Sequence, residues 1–368
     1  MDSVQLEYIE QVLKSSHQHG DGPFGKKCER RLEQEFKIQR ALLTCSGTAA
    51  LELAAILFDI KQGDEVIMPS FTFVSTANAV ILRGATPVFV DIRPDTLNLD
   101  ERALDEAVTK KTRGIIPVHY AGVSCEMDTI MAFAKERGLF VLEDAAHCYG
   151  ASYKGRSLGS IGDLGMISFH QTKNVGCGEG GALFINDPQY TERAEIIREK
   201  GTDRSKFLRG EIDRYSWCDL GSSYVLSDIL AAVLYSQIEA KETTANRLKI
   251  FKEYEVGFRP FSEKYELRLP SIPPYCEHNA HIFYLILPSS ELRDGLIAHL
   301  KSKSIASTSH YVPLHDSSTG MKYSRSVGSL PVTSNVASRL IRLPIYSQMS
   351  SAMVKIVVDE VEQFFKGV

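Results

Sequence analysis

From about residue 41 to residue 186 the chain alternates short apolar runs with longer amphipathic ones. That pattern limits it to an α/β fold, a mostly parallel sheet covered by helices on both faces. Candidate buried strands are Ala41–Thr44, Glu65–Met68, Pro87–Val90, Gly114–Val118, Phe140–Glu143, Gly165–Ser168 and Gly181–Ile185. Helical spacing of apolar residues runs through Thr48–Phe58, Val74–Leu82, Glu101–Val108 and Glu126–Arg137. Ligands on such sheets bind beyond the carboxyl ends of the strands. Ser46-Gly47, Pro69-Ser70, His119-Tyr120, Asp144 and His170–Lys173 all follow strand ends, so they should converge on one rim.

At 368 residues the chain is too long for one ordinary core, and two domains are expected: 1–240 large, 241–368 small and C-terminal. A long helical stretch follows Leu226, runs through Ala231–Leu234 towards Phe258, and should stop at Pro260. Beyond it a strand at Ile282–Leu287 and helices at Glu291–Ser302 and Ser350–Phe365 suggest a smaller α/β unit. A net charge of −4 gives no electrostatic reason to expect nucleic acid or an anionic membrane. No apolar run approaches the roughly 20 residues that span a bilayer, and the first residues do not read as a signal peptide. Seven irregularly spaced cysteines fit reduced thiols, and the expected location is cytoplasmic.

The residues with chemical promise are Asp144, at the end of an apolar strand, and Lys173, 29 residues later in Ser168-Phe169-His170-Gln171-Thr172-Lys173. A lysine is a nucleophile only when deprotonated, so it belongs in a desolvated pocket. A buried carboxylate can hold a pyridinium charged. Together these are the needs of pyridoxal 5'-phosphate chemistry. Ser46-Gly47-Thr48, between a strand and a helix, offers free N–H groups and hydroxyls to a phosphate. Of the aromatics in Ser70-Phe71-Thr72-Phe73, Phe73 is the candidate to stack on a ring.

Gly176-Cys177-Gly178-Glu179-Gly180-Gly181 matches G-x-G-x-x-G but leads into a strand, so it is not a dinucleotide fingerprint. Cys276, His278, His281, His310 and His315 lack the compact paired spacing of a metal site. His281, Tyr311 and His315 are instead candidates to meet substrate, since a small domain must close over the rim.

Ser46-Gly47-Thr48, Phe71-Thr72-Phe73, Glu143-Asp144-Ala145-Ala146-His147 and Ser168-Phe169-His170-x-Thr172-Lys173 resemble the DegT/DnrJ/EryC1/StrS nucleotide-sugar aminotransferases. The resemblance covers nearly the whole chain and implies the fold-type-I fold of aspartate aminotransferase. It extends, over Gly63–Ala79, Pro117–Ala132, Glu195–Ser205 and Gly221–Asp228, to members that make dTDP-4-amino-4,6-dideoxygalactose for enterobacterial common antigen. By that resemblance Lys173 is the imine lysine and proton shuttle, and Asp144 the pyridinium partner. Phe73 stacks on the ring, Gly47, Thr48 and Ser168 hold the phosphate, and His147 lies beside the phenolic oxygen. Family members are homodimers with shared sites, and Ser223 occupies the position of an Asn that often reaches across. Three departures stand out: His147 for the commoner Gln, Ser223 for Asn, and an abbreviated start.

The reaction so implied moves an amino group from L-glutamate to C4 of dTDP-4-keto-6-deoxy-D-glucose, giving dTDP-4-amino-4,6-dideoxy-D-galactose for cell-surface polysaccharide. Amination at C3 of a related sugar, or a non-catalytic protein on the same fold, stays open. The family's 3-dehydratases carry His where Lys173 stands, which argues against that chemistry.

Overall fold

A computed structural model describes residues 3–240 and 242–367. Its centre is an eight-stranded sheet. Five strands alternate with helices: β1 (Arg40–Thr44), β2 (Glu65–Pro69), β3 (Thr86–Val90), β4 (Thr112–Ile115) and β5 (Phe140–Asp144). A small hairpin of β6 (Ser152–Tyr153) and β7 (Arg156–Ser157) precedes β8 (Leu164–Ser168) and β9 (Gly181–Ile185). The C-terminal third supplies β10 (Cys276–Glu277), β11 (Phe283–Ile286), β12 (Arg325–Ser326) and β13 (Leu340–Leu343). The sheet order is β1-β9-β8-β5-β4-β2-β3-β12.

Both faces of the sheet are covered, which is why its strands read as unbroken apolar runs. In β2, Val66 and Met68 pack into one cluster and Ile67 into the other. In β9, Leu183 and Ile185 face one side while Ala182 and Phe184 face the opposite one. The helix Gly47–Leu57 lies on the first face, and helices Pro23–Phe36 and Asp228–Glu239 belong to the second.

Strand β9 runs antiparallel to both its neighbours, β1 and β8. An antiparallel pair needs only a short connection, whereas parallel pairs need a crossover. The β8–β9 loop therefore stays at the carboxyl end of β8, and it carries Lys173. Gly181 opens β9 so close to the Ser46–Gly47 turn that a Cβ on it would lie 2.5 Å from the Gly47 nitrogen. Only glycine lets these two segments meet.

The expected strands and helices of the sheet region are present, with shifts that have local causes. Gly114–Val118 shortens to end at Ile115, because Pro117 has no N–H for the ladder. Single contacts continue beyond it, from the Ile116 N–H to the Ile67 carbonyl and between Val118 and Asp144. Glu101–Val108 becomes a 3₁₀ turn (Glu101–Ala103) and one helical turn (Leu104–Ala107). The long helix beyond Leu226 is two helices, Asp228–Glu239 and Glu242–Ser262, and Pro260 does not stop the second. Pro260 sits in its last turn, where the lost bond to the Val256 carbonyl falls on an exposed residue.

Residues 250–365 gather a separate core of Phe251, Tyr254, Phe258, Phe283, Leu285, Val357 and Val361. Strand β12 nevertheless joins the large sheet beside β3, and Arg325 pairs with Glu65 at 2.7 Å. Among the described residues no helix is long and apolar enough to cross a membrane.

Behind the rim, the fully buried Glu143 accepts from the N–H groups of Gly159 (2.9 Å), Ile161 (2.5 Å) and Gly162 (2.7 Å). It also meets His119 Nε2 at 3.0 Å. The His119 Nδ1 accepts the Cys125 N–H, so its ring proton sits on Nε2 and points at the carboxylate. Each buried donor left without an acceptor costs about 1–3 kcal/mol. Glu143→Ala should therefore lower stability by several times that single-donor cost in chemical denaturation; a loss below ~1 kcal/mol would contradict this account.

Candidate active site

A cavity of about 530 Å³ opens beyond the carboxyl ends of the central strands. Its lining brings together Gly47, Thr48, Phe73, Asp144, His147, Ser168, Lys173, His281 and Tyr311 from the residues expected from sequence. Two others are not brought to it. His315 is turned aside, its Nδ1 on the Ser70 hydroxyl (2.7 Å) and its Nε2 near Ser334 (3.3 Å) and Asp316 (3.4 Å). Ser223 is exposed, outside this cavity, bridged through its backbone to Glu199.

One end of the cavity is a helix start. Ser46 caps Gly47–Leu57 by accepting the Ala49 N–H at 3.0 Å. The N–H groups of Gly47 and Thr48 have no acceptor within the helix. The Thr48 hydroxyl meets Ser75 at 2.7 Å. A Cβ at Gly47 would meet Met166 Cε at 2.9 Å and Ser168 Cβ at 3.1 Å, so the notch between them would be filled by any larger residue. Free N–H groups, hydroxyls and the helix dipole make this end suited to phosphate.

The floor is Asp144, which is buried. Its carboxylate accepts the Thr76 hydroxyl at 2.7 Å and the Ala146 N–H at 3.2 Å. Burial pushes its pKa up, and the Thr76 and Ala146 hydrogen bonds and Lys173 pull against that. Among the described residues the Lys173 amine takes no hydrogen bond. Burial lowers its pKa to about 8, with Asp144 opposing and Arg342 assisting. A substantial fraction of this amine is thus neutral near pH 8, as a nucleophile requires.

Phe73 is 59% exposed yet borders the cavity, a ring face without a core of its own. Phe71 instead packs edge-on against Tyr120 (5.0 Å) and Tyr311 (5.4 Å). The His147 Nδ1 accepts the Ala121 N–H at 3.3 Å, leaving Nε2–H as a donor. The His281 ring lies 4.4 Å from it, with Nδ1 on Asn174 Oδ1 at 2.9 Å. Asn174 gives its N–H to the Asn279 carbonyl, so His281 Nδ1 must donate and its Nε2 is an acceptor. Burial lowers both imidazoles well below their usual range, which keeps them neutral.

Sequence reading missed Thr76, Ser75, His310 and Arg342. Thr76 is one helical turn beyond Thr72, a spacing with no chemical signature of its own. Arg342 lies on β13, some 170 residues from Lys173, and only the tertiary fold brings it to the cavity.

The chain matches the DegT/DnrJ/EryC1/StrS aminotransferase family over residues 1–362. It is 34% identical to the spore coat polysaccharide biosynthesis protein SpsC of Bacillus subtilis, over 94% of this chain and 90% of that protein. It is 29% identical to GDP-perosamine synthase of Escherichia coli O157:H7, over 98% of this chain and 95% of that one. The solved structure of the sugar aminotransferase Spr1654 from Streptococcus pneumoniae in its PLP form superposes with a TM-score of 0.90 at 26% identity. That superposition covers 100% of this chain and 97% of Spr1654. The phosphate notch, the unpartnered amine and the buried carboxylate all fit pyridoxal phosphate. The chain belongs to the DegT/DnrJ/EryC1/StrS aminotransferase family, and it is a pyridoxal phosphate-dependent sugar aminotransferase of fold type I.

Proposed function

We propose that this enzyme transfers the amino group of L-glutamate to C4 of dTDP-4-keto-6-deoxy-D-glucose, forming dTDP-4-amino-4,6-dideoxy-D-galactose for a cell-surface polysaccharide in the cytoplasm. The observation that carries the reading is Lys173, a desolvated amine without a hydrogen-bond partner, in one cavity with the buried carboxylate of Asp144. The names of SpsC and GDP-perosamine synthase support a nucleotide-linked sugar destined for polysaccharide. The choice of C4, of dTDP and of glutamate rests on the resemblance of Gly63–Ala79 and Pro117–Ala132 to such enzymes.

When bound, pyridoxal phosphate supplies the electron sink that a carbanion beside nitrogen needs. Lys173 would hold the cofactor, and its neutral Nζ is the base that would take the proton from the donor's α-carbon. Asp144 would keep the pyridinium nitrogen charged. His147 would offer its Nε2–H to the phenolic oxygen, Phe73 would lie against the ring, and Gly47, Thr48 and Ser168 would hold the phosphate. His281 and Tyr311 meet the sugar. The domains divide near residue 240, and two copies assemble with Ser223 near the partner's site. The exposure of Ser223, Leu208, Trp217 and Leu220 supports that assembly.

Incubating the protein with dTDP-4-keto-6-deoxyglucose and L-glutamate, then locating the new amine by NMR, should place it on C4. Amination at C3, or no conversion, would transfer the assignment to another sugar. Capture of cofactor by the apoprotein should quicken as pH rises through about 8, where Lys173 loses its proton. Borohydride followed by peptide mapping should find the label on Lys173, and Lys173→Ala should abolish both capture and turnover; a label on another lysine sinks the assignment. Asp144→Asn should fold and bind cofactor but turn over about 100-fold or more slowly. A near-wild-type rate would remove Asp144 from its role.

A further inference from the structure

Asn174 follows Lys173 in the chain, is buried, and is left unused by the roles above. The polar ties of its neighbours stay within the β8–β9 loop. The Lys173 N–H goes to the His170 carbonyl at 2.9 Å and the Gln171 N–H to that of Gly178 at 2.8 Å. The His170 ring faces the Thr172 hydroxyl at 2.9 Å and Glu179 at 3.5 Å. The Asn174 side chain instead reaches out of the loop. Its Nδ2 donates to the Asn279 carbonyl at 2.8 Å, and its Oδ1 accepts from His281 Nδ1 at 2.9 Å.

Residues 279–281 are themselves held from two sides. The fully buried Asn279 donates Nδ2 to the carbonyls of His147 (2.7 Å) and Tyr149 (2.9 Å), in the turn that leaves β5 after Asp144. Its Oδ1 accepts the His281 N–H at 3.1 Å. Gly122 makes room for this amide: a Cβ there would lie 2.0 Å from Asn279 Oδ1. From the other side Arg247, buried in the helix Glu242–Ser262, donates Nε to the Ala280 carbonyl (3.1 Å) and Nη2 to that of His281 (2.7 Å). Ala280 has φ 52°, a left-handed conformation that alanine rarely takes, and these bonds hold it there. A hydrogen-bonded path therefore runs from the turn after Asp144, through Asn279 and Asn174, to the residue bonded to Lys173. Buried amides with specified partners favour one arrangement, because every alternative leaves a polar group unpaired.

We propose that Asn174 is a positioning residue: through Asn279 it fixes Lys173 relative to Asp144, and through its Oδ1 it fixes His281 with Nε2 as the acceptor. The inference rests on Lys173 as the base of the proposed reaction. Turnover surviving in Lys173→Ala would remove that reading and this inference with it; an inactive Lys173→Ala beside a fully active Asn174→Ala would remove this inference alone. In holoenzyme given saturating L-amino-acid donor, a single turnover of Asn174→Ala should be roughly 10- to 100-fold slower, with donor affinity within about threefold. The isotope effect of the α-deuterated donor should stay at or above the wild-type value, because the slowed step is proton transfer to Lys173. Asn174→Asp, nearly isosteric, loses the donor to Asn279 and should be slowed as well, which keeps a test in hand if the alanine variant misfolds. Independently of turnover, ¹⁵N NMR of the full-length protein should find the His281 proton on Nδ1, assigned by its loss in His281→Gln, and a mixture of tautomers in Asn174→Ala. An unchanged single-turnover rate in either folded variant would overturn the proposal. So would weaker donor binding at an unchanged rate, an isotope effect that falls to one, or a wild-type His281 protonated on Nε2.

Discussion

Placing an amine and a carboxyl together out of water is the constraint on which the site depends. Desolvation disfavours charge on each, raising Asp144 and lowering Lys173, while their mutual attraction opposes both shifts. The outcome is a lysine whose pKa falls to about 8, within reach of the neutral form. The sheet supplies the burial. β5 delivers Asp144 at its carboxyl end, and the β8–β9 loop delivers Lys173 beside it because β9 turns straight back.

The supports around that pair follow the same economy. Thr76 and Ala146 give Asp144 two donors, enough to hold an anion without salt-bridging it away from the cavity. Glu143, one residue earlier, points to the opposite side and ties down residues 159–162, so adjacent carboxylates on one strand serve chemistry and architecture separately. The two neighbouring imidazoles show the same division: the hydrogen bond on each Nδ1 fixes what Nε2 offers, a donor on His147 and an acceptor on His281. Neutrality matters here, since a third and fourth cation beside Lys173 and Arg342 would repel one another.

Much of the fold was legible because period and position are local properties. The strands were visible as apolar runs, since burial on both faces removes the polar alternation that an open sheet would show. Lys173, Asp144 and the Ser46-Gly47-Thr48 turn stood out because their residue types are unusual at strand ends. Errors arose where non-local factors decided. Pro117 cut a ladder short, and Pro260 was tolerated where its missing bond fell near a helix end.

The sequence by itself determined the parallel sheet, the phosphate-suited helix start and the lysine–aspartate pair, because each is written in neighbouring residues and their spacing. Tertiary structure alone decided which nitrogen of each histidine faces the cavity, that Thr76 braces Asp144, and that Arg342 reaches the cavity from a distant strand. Hydrogen-bond partners and burial select those states, and both depend on residues far apart in the chain that only folding brings within reach.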